Sequence, residues 1–269
     1  MNDDPTKPAA PTINAVTRAI VLLRALNRQP VSTIDVLFRQ TGIPKPSIVR
    51  LLRTFEAEGL VRHAPQYGAY VLTSGVDDLA CGYHSEPRIV EAVAPVADAL
   101  TAEIKWPVAV GVLDTDALVV RYSTIPLSPL SLLHSSIGMR LSLVSRAIGK
   151  AYLAFCEPDE QAALVSLITE SNHPEDAVAR DPSFVRAMLG EVRTRGYALR
   201  EPGVRPVSQT IAVPIFEKGR VVAAIGMTWF SSVFPAETVV ERFLPQLQSA
   251  AKEVGIRLTA LERNAPQRA

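Results

Sequence analysis

Apolar positions along the chain change period six times. From Val16 to Phe55 they recur at helical spacing: Val16, Ala19, Ile20, Leu23 and Leu26 predict a first helix, and Ile34, Leu37 and Phe38 a second. Ile48, Leu51, Leu52 and Phe55 predict a third. Leu60 to Leu72 reads instead as two short strands about a turn at Pro65-Gln66-Tyr67-Gly68. Helical spacing returns from Val76 to Tyr83 and, with Ile89, Val90, Val93, Val96, Ala97 and Leu100, from Glu86 to Ile104, until Trp106-Pro107 breaks it. Beyond Pro107, strands at Val108 to Leu113 and Leu118 to Ser123 flank an Asp114-Thr115-Asp116 turn. Helices follow at Arg146 to Phe155, Pro158 to Thr169 and Pro182 to Arg195. Strands near Ser208 to Phe216 and Arg220 to Trp229 then meet at Glu217-Lys218-Gly219, and a last helix runs from Ala236 to Leu261. Strand pair, helices, strand pair and flanking helix predict an α+β domain, an antiparallel sheet with helices packed around it. No internal repeat interrupts this order.

The stretch from Ser32 to Val61 carries the first functional signal. Ser32 is the expected cap of the second helix, with Asp35 closing a capping box. Thr41-Gly42-Ile43-Pro44 supplies a tight turn, and the third helix opens within Lys45-Pro46-Ser47, where proline is tolerated. Opposite its apolar face stand Pro46, Ser47, Arg50, Arg53 and Thr54, with no acid before Glu56. Short polar and arginine side chains on the outer face of a second helix are what the major groove requires. Gly59 stops that helix, and the hairpin after it is a wing with Arg62, His63, Gln66 and Tyr67 at its edge. The candidate DNA contacts are therefore Arg18, Ser32, Thr33, Lys45, Pro46, Ser47, Arg50, Arg53, Thr54, Arg62 and Tyr67. The competing reading is a helix-turn-helix used for protein contacts alone, with Arg50 and Arg53 as solvated charges.

Charge agrees with the DNA reading. From Ile13 to Leu72 there are eight arginines or lysines against three acids, a net of +5 in a chain whose total is +1. The remainder is thus about −4, and the basic character is confined to the candidate head. Expected organisation is an unordered tail at 1–12, with Pro5, Pro8 and Pro11, and a winged helix-turn-helix domain at 13–74. A linker helix at 75–85, an α+β domain at 86–263 and a tail at 264–269 complete it. Two isolated cysteines, Cys81 and Cys156, make no disulfide framework. With no signal-like segment and no apolar run near 18 residues, the expectation is a soluble cytoplasmic protein with no membrane role.

An enzyme is disfavoured. No G-x-S-x-G, G-x-G-x-x-G, P-loop or H-E-x-x-H occurs, and His63, His84, His134 and His173 are scattered, so neither a metal nor another cofactor is expected. His134 beside Ser135 and Ser136 makes no triad by adjacency alone. A ligand site is more plausible at Ser145. It precedes Arg146-Ala147-Ile148-Gly149-Lys150 as a natural N-cap, the free amides of Ala147 and Ile148 would carry the positive end of a helix dipole, and Gly149 leaves room for close approach. That is an anion site suited to a carboxylate, although a serine cap taken alone is usually just a cap.

The runs Ala15-Val16-Thr17-Arg18-Ala19-Ile20, Thr41-Gly42-Ile43-Pro44-Lys45 to Leu51-Leu52, and Glu58-Gly59-Leu60-Val61 resemble the amino-terminal domain of IclR-type transcriptional regulators. Leu141 to Phe155, Gly196-Tyr197-Ala198, Ile211 to Ile215 and Val222 to Ile225 follow in that family's order, so the resemblance covers nearly the whole chain. It implies a GAF-like effector domain whose loop at Ser145 holds the carboxylate of a small acid. It further implies a pocket with Arg200, Thr210, Gly226 and Thr228. Trp106, Arg121, Ser123 and Met139 are candidates to complete an aromatic-sized cavity, although each of these residue types is more often core or surface. Arg200 stands where some relatives carry an acid, a departure that leaves the pocket's polarity open: Arg200 faces a second acidic group, pairs with Glu201, or lies outside. Arg121 to Pro126, Leu133 to Arg140 and Ala151 to Cys156 resemble the branch controlling aromatic-acid breakdown, nearest to regulators of 3-(3-hydroxyphenyl)propionate catabolism. The expected partners are a pseudo-palindromic operator in double-stranded DNA, an aromatic acid, a second copy or a dimer of dimers, and RNA polymerase. A GAF-like sensory module acting through protein partners is the alternative.

Overall fold

The computed structural model describes residues 13–79, 87–131 and 135–264. The chain divides into two compact units, Met1–Ser85 and Glu86–Ala269. The proline-rich start, most of the expected linker helix, Cys81, His84 and His134 lie outside the described residues.

In the first unit, α1 (Asn14–Arg28), α2 (Ile34–Thr41) and α3 (Lys45–Ala57) precede a two-stranded antiparallel hairpin of β1 (Val61–Ala64) and β2 (Ala69–Leu72). Leu22, Leu26, Leu37, Ile48 and Leu52 have no exposed surface and form its core with Ala25, Ile43 and Phe55. Three expectations need correction. Val16 and Ile20 are 52% and 46% exposed, because at about 100° per residue they lie well round the helix from the buried Leu22, Ala25 and Leu26 stripe. Phe38 is exposed too, one step round from Leu37, and the Lys45 ammonium stands 5.9 Å from its ring centre. The cap of α2 is Thr33, whose hydroxyl accepts from the Val36 amide at 3.3 Å, so no capping box joins Ser32 to Asp35. Ser32 is fully buried: its hydroxyl donates to the Gln29 carbonyl at 2.8 Å, and its backbone exchanges two hydrogen bonds with Tyr70 of the wing. Gly42 ends α2 at φ 66°, a left-handed conformation that glycine adopts without strain. A short helix, α4 (Gly75–Asp78), follows the wing.

The second unit opens with α5 (Pro87–Ile104), then β3 (Val108–Asp114), β4 (Ala117–Ser123) and β5 (Arg140–Leu141). Helices α6 (Ala147–Phe155), α7 (Pro158–Thr169) and α8 (Pro182–Arg195) come next, followed by β6 (Ala198–Leu199), β7 (Ser208–Glu217), β8 (Arg220–Phe230) and α9 (Ala236–Asn264). The six strands form one antiparallel sheet in the order β5-β4-β3-β8-β7-β6. Alternation along the strands feeds two cores. Ile211, Val213 and Ile215 of β7 join α5 and α9 on one face, while Ala212 and Ala224 face α6 to α8 on the other. The small residues let α6 lie close to the sheet.

The turn before α6 is packed as tightly against the helix at Gly149, where a Cβ would stand 2.1 Å from the Ser142 carbonyl oxygen. Backbone cannot yield there as a side-chain tip would, so Gly149→Ala is expected to cost at least about 1–3 kcal/mol. Gly190→Ala, in open space within α8, should instead stabilise by about 0.5–1 kcal/mol. Urea unfolding followed by tryptophan fluorescence checks both, since Trp106 and Trp229 both lie in the second unit.

Candidate functional site

In the head, Ser47, Arg50, Arg53 and Thr54 of α3 line a shallow cleft of about 370 Å³ with Ala15 and Arg18 of α1. Helix packing thus brings Arg18 beside the outward face of α3, which no local sequence pattern indicates. Arg50 and Arg53 are exposed, and the Thr54 hydroxyl donates back to the Arg50 carbonyl at 3.1 Å. Pro46 is exposed in the first turn. Lys45 is exposed but pairs with Asp35 at 2.6 Å, which holds that carboxyl below its ordinary range. On the wing, Arg62 and Tyr67 are open to solvent, while His63 lies against Tyr70 with ring centres 4.9 Å apart. Ser32 is fully buried and so withdrawn from this surface, whereas Thr33 is half-buried and caps α2.

The second unit contains a cavity of about 270 Å³ between the sheet and the start of α6. Of the residues expected there, Ala147, Ile148, Arg200, Thr210, Thr228, Ser123 and Met139 line it. Four others do not. Gly226 lies beneath Ile148, whose side chain would meet a Cβ at 2.7 Å, so it seats the helix. Trp106 is buried against Phe230 and Phe234. Arg121 is the extra residue of a bulge, for Val110 pairs with Tyr122 and Gly111 with Val120, and its guanidinium reaches Asp114 at 2.8 Å. The bulge breaks strict alternation and lets Val120 and Ser123 both line the cavity. Ser145 is 3% exposed, caps nothing, and its hydroxyl has no hydrogen-bond partner. The residue holding the turn before α6 is Ser142, whose hydroxyl accepts from the Val144 and Ser145 amides at 3.3 Å each. The room expected at Gly149 is filled by the Ser142-Leu143 backbone.

Polar groups converge on one part of the wall. Arg146, Arg205 and Ser208 line it, and none was expected there: Arg146 and Arg205 lie on irregular segments without periodicity, and Ser208 is the first residue of β7. Arg200 is 5% exposed; its Nη2 donates to the Ser208 hydroxyl at 3.0 Å and to the Ser208 carbonyl, while its buried Nε meets no acceptor. Burial pulls its pKa down to about 10, the charges of Arg146 and Arg205 act the same way, and Glu175 opposes them. Two hydroxyl pairs also face the space: Ser136 with Ser123 at 2.8 Å, and Thr210 with Thr228 at 3.0 Å. An apolar chamber with a cationic patch and a few hydroxyls suits a small organic anion.

Residues 81–256 match the family described as the bacterial transcriptional regulator IclR C-terminal domain, and residues 15–65 match the IclR helix-turn-helix domain. The chain belongs to the IclR family of transcriptional regulators. It is 23% identical over 248 residues to the HTH-type transcriptional regulator KdgR of Escherichia coli K12, covering 92% of this chain and 93% of that protein. The crystal structure of the Thermotoga maritima IclR is similar with a TM-score of 0.67 at 19% identity, over 92% of this chain and all of that one. An IclR homolog from Microbacterium hydrocarbonoxydans, complexed with 4-hydroxybenzoate, gives 0.60 at 18% identity over 92% and 100%. At these identities the structures show a shared fold. Family membership makes the chain a DNA-binding regulator with a C-terminal ligand-binding domain, and removes the enzyme and protein-contact-only readings.

One wall of this IclR-family cavity is anchored from behind. Met139 and Leu141 line it, while Arg140 between them binds Asp116 and the fully buried Asp176, both at 2.7 Å. Burial disfavours the Asp176 carboxylate, but hydrogen bonds led by Arg140 outweigh it and hold the group below its ordinary value of 3.8. A depressed folded value means stabilisation that is complete above pH 3.8 and lost as pH falls through the folded value. Asp176→Asn should therefore cost about 1–3 kcal/mol at pH 7, with the difference from wild type closing in acid. Thermal unfolding at pH 7 and below pH 3.8 reads both outcomes.

Proposed function

We propose that the effector of this regulator is a small carboxylic acid with an aromatic body, of the hydroxyphenylpropionate or hydroxybenzoate kind. Arg200 carries the reading: a guanidinium almost wholly buried at the wall of an apolar chamber, with no carboxylate partner among the described residues. Such a group favours an anion brought by a ligand, and the amides of Ala147 and Ile148 at the start of α6 add to the same field. Trp229 and Phe230 suit a ring, and the Ser123–Ser136 and Thr210–Thr228 pairs suit its hydroxyl substituents. The Microbacterium relative crystallised with 4-hydroxybenzoate supports the same class.

On the DNA side, Arg18, Ser47, Arg50, Arg53 and Thr54 face the major groove, with Arg62 and Tyr67 on flanking phosphates or the minor groove. Two copies, or a dimer of dimers, bind a pseudo-palindrome in the cytoplasm. Val16 and Ile20 of α1, with Ile13 just before it, are exposed apolar residues that support subunit pairing. The effector acts through its differential affinity for two states, changing operator binding or contact with RNA polymerase.

Mobility-shift titration on DNA upstream of the chain's own gene, with and without 3-(3-hydroxyphenyl)propionate and hydroxybenzoates, tests the whole reading. A specific shift altered by one acid is expected; a specific shift altered only by sugar acids overturns the aromatic effector. Arg50→Ala or Arg53→Ala should cost about 1–3 kcal/mol on operator and relax specificity at one base pair. Arg62→Ala should weaken binding evenly across sequences and flatten its salt dependence. Wild-type operator affinity in both α3 variants would remove α3 from base recognition.

A further inference from the structure

The cavity wall contains three arginines, Arg146, Arg200 and Arg205, and among the described residues no acid. Only Arg146 is neutralised, by Glu175 through its Nε at 2.8 Å and through Nη2. The nearby Lys150 is taken by Glu201. Arg200 spends its Nη2 on the uncharged oxygens of Ser208 and, at 3.5 Å, on the Arg205 carbonyl, and its Nε is unpartnered. Arg205 has no carboxylate within ion-pair distance among the described residues.

These charges share one end of the chamber. Arg200 feels the charges of both Arg146 and Arg205, and the Glu201 amide donates to the Ser145 carbonyl at 2.9 Å, tying the Arg200 segment to the turn that opens α6. Three guanidiniums against one carboxylate leave two uncompensated positive charges there, before the amide end of α6 is counted. A monocarboxylate balances one of them. The charge left over is then the half-exposed Arg205, which has no carboxylate of its own among the described residues, and a charge-assisted pair formed there at the edge of an apolar chamber is stronger than a neutral one.

We propose that the effector carries two negative charges at one end of an apolar body, as a vicinal dicarboxylate or a phosphate monoester does, and that Arg200 and Arg205 receive the second charge. The proposal rests on the organic-anion reading of the same cavity and departs from the monocarboxylate examples above in the charge it assigns to the ligand. Arg205 and Arg200 then set specificity for dianions over monoacids, and Val108, Ile125 and Phe230 accept the body.

Calorimetry on the full chain with benzoate, benzene-1,2-dicarboxylate, benzene-1,4-dicarboxylate and phenyl phosphate decides it. The 1,2-dicarboxylate or phenyl phosphate should bind at least about tenfold more tightly than benzoate, and whichever is tighter identifies the source of the dianion. That advantage should fall to within about threefold in Arg205→Ala, on a half-exposed loop residue, and in Arg200→Gln if its thermal unfolding remains cooperative. Benzoate binding as tightly as both dianions overturns the proposal. So does a 1,4-dicarboxylate equal to the 1,2-isomer, an advantage untouched by Arg205→Ala, or no binding by either dianion. An operator shift driven by a monoacid with no dianion preference would overturn this proposal alone and leave the aromatic-acid regulator standing. Absence of binding by every acid, hydroxyphenylpropionate included, would remove both.

Discussion

Helix α6 approaches the sheet more closely than side chains ordinarily permit, and the position of the ligand chamber follows from that approach. A Cβ on Gly226 of β8 would stand 2.7 Å from Ile148, one on Gly111 of β3 would stand 3.0 Å from it, and one on Gly149 would strike the Ser142 backbone. Interiors pack densely enough that such a contact admits no larger residue without displacement of the helix. Because the glycines sit on neighbouring strands beneath one isoleucine, the first turn of α6 is located in two directions at once. Ala147 and Ile148 thereby become wall, and the space they leave becomes a site.

The chemistry of the site follows from placing charge in that packed setting. Arg200 is buried to a degree that arginine rarely tolerates without a carboxylate, and its fork is turned to backbone and hydroxyl oxygens instead. Neighbouring positive charge on Arg146 and Arg205 adds to the cost. A ligand that removes this electrostatic burden stabilises the folded state that binds it, by the same linkage through which any native-state ligand raises stability. On the proposed reading the chamber selects by charge before it selects by shape.

Periodicity made the head and the strand pairs legible, because both rest on local spacing that survives into the fold. It failed where phase or tertiary contact decides. Val16 and Ile20 keep helical spacing yet lie off the stripe that Leu22 and Leu26 define, and only the packed neighbours reveal which stripe is covered. Ser32 and Thr33 are chemically equivalent cap candidates, and the Ser32 bridge to Tyr70 settles the choice from a distant strand. In the second unit Ser145 had the right position for a cap, but the chain folds back so that Ser142 serves the turn. Arg121 was misplaced by a bulge, which no alternation rule anticipates. Arg146 and Arg205 were invisible as pocket residues since irregular segments have no period from which to read a facing.

The chamber's walls differ in what an anion can change. Met139 and Leu141 are held by Arg140, whose partners Asp116 and Asp176 do not line the cavity, so a ligand alters nothing in that network directly. Ile148 is wedged against glycines in the sheet and is equally committed. The Arg200–Ser208 segment is otherwise. Beside its backbone hydrogen bonds it is closed by the Arg200 guanidinium, the group that would face an anion, so an anion competes with the Ser208 and Arg205 carbonyls for the same donors. A ligand shifts a conformational equilibrium only by its differential affinity for the two states. On the proposed reading that difference has its most direct source in the segment from Arg200 to Ser208, because there binding the anion and part of the hold on the backbone draw on one side chain.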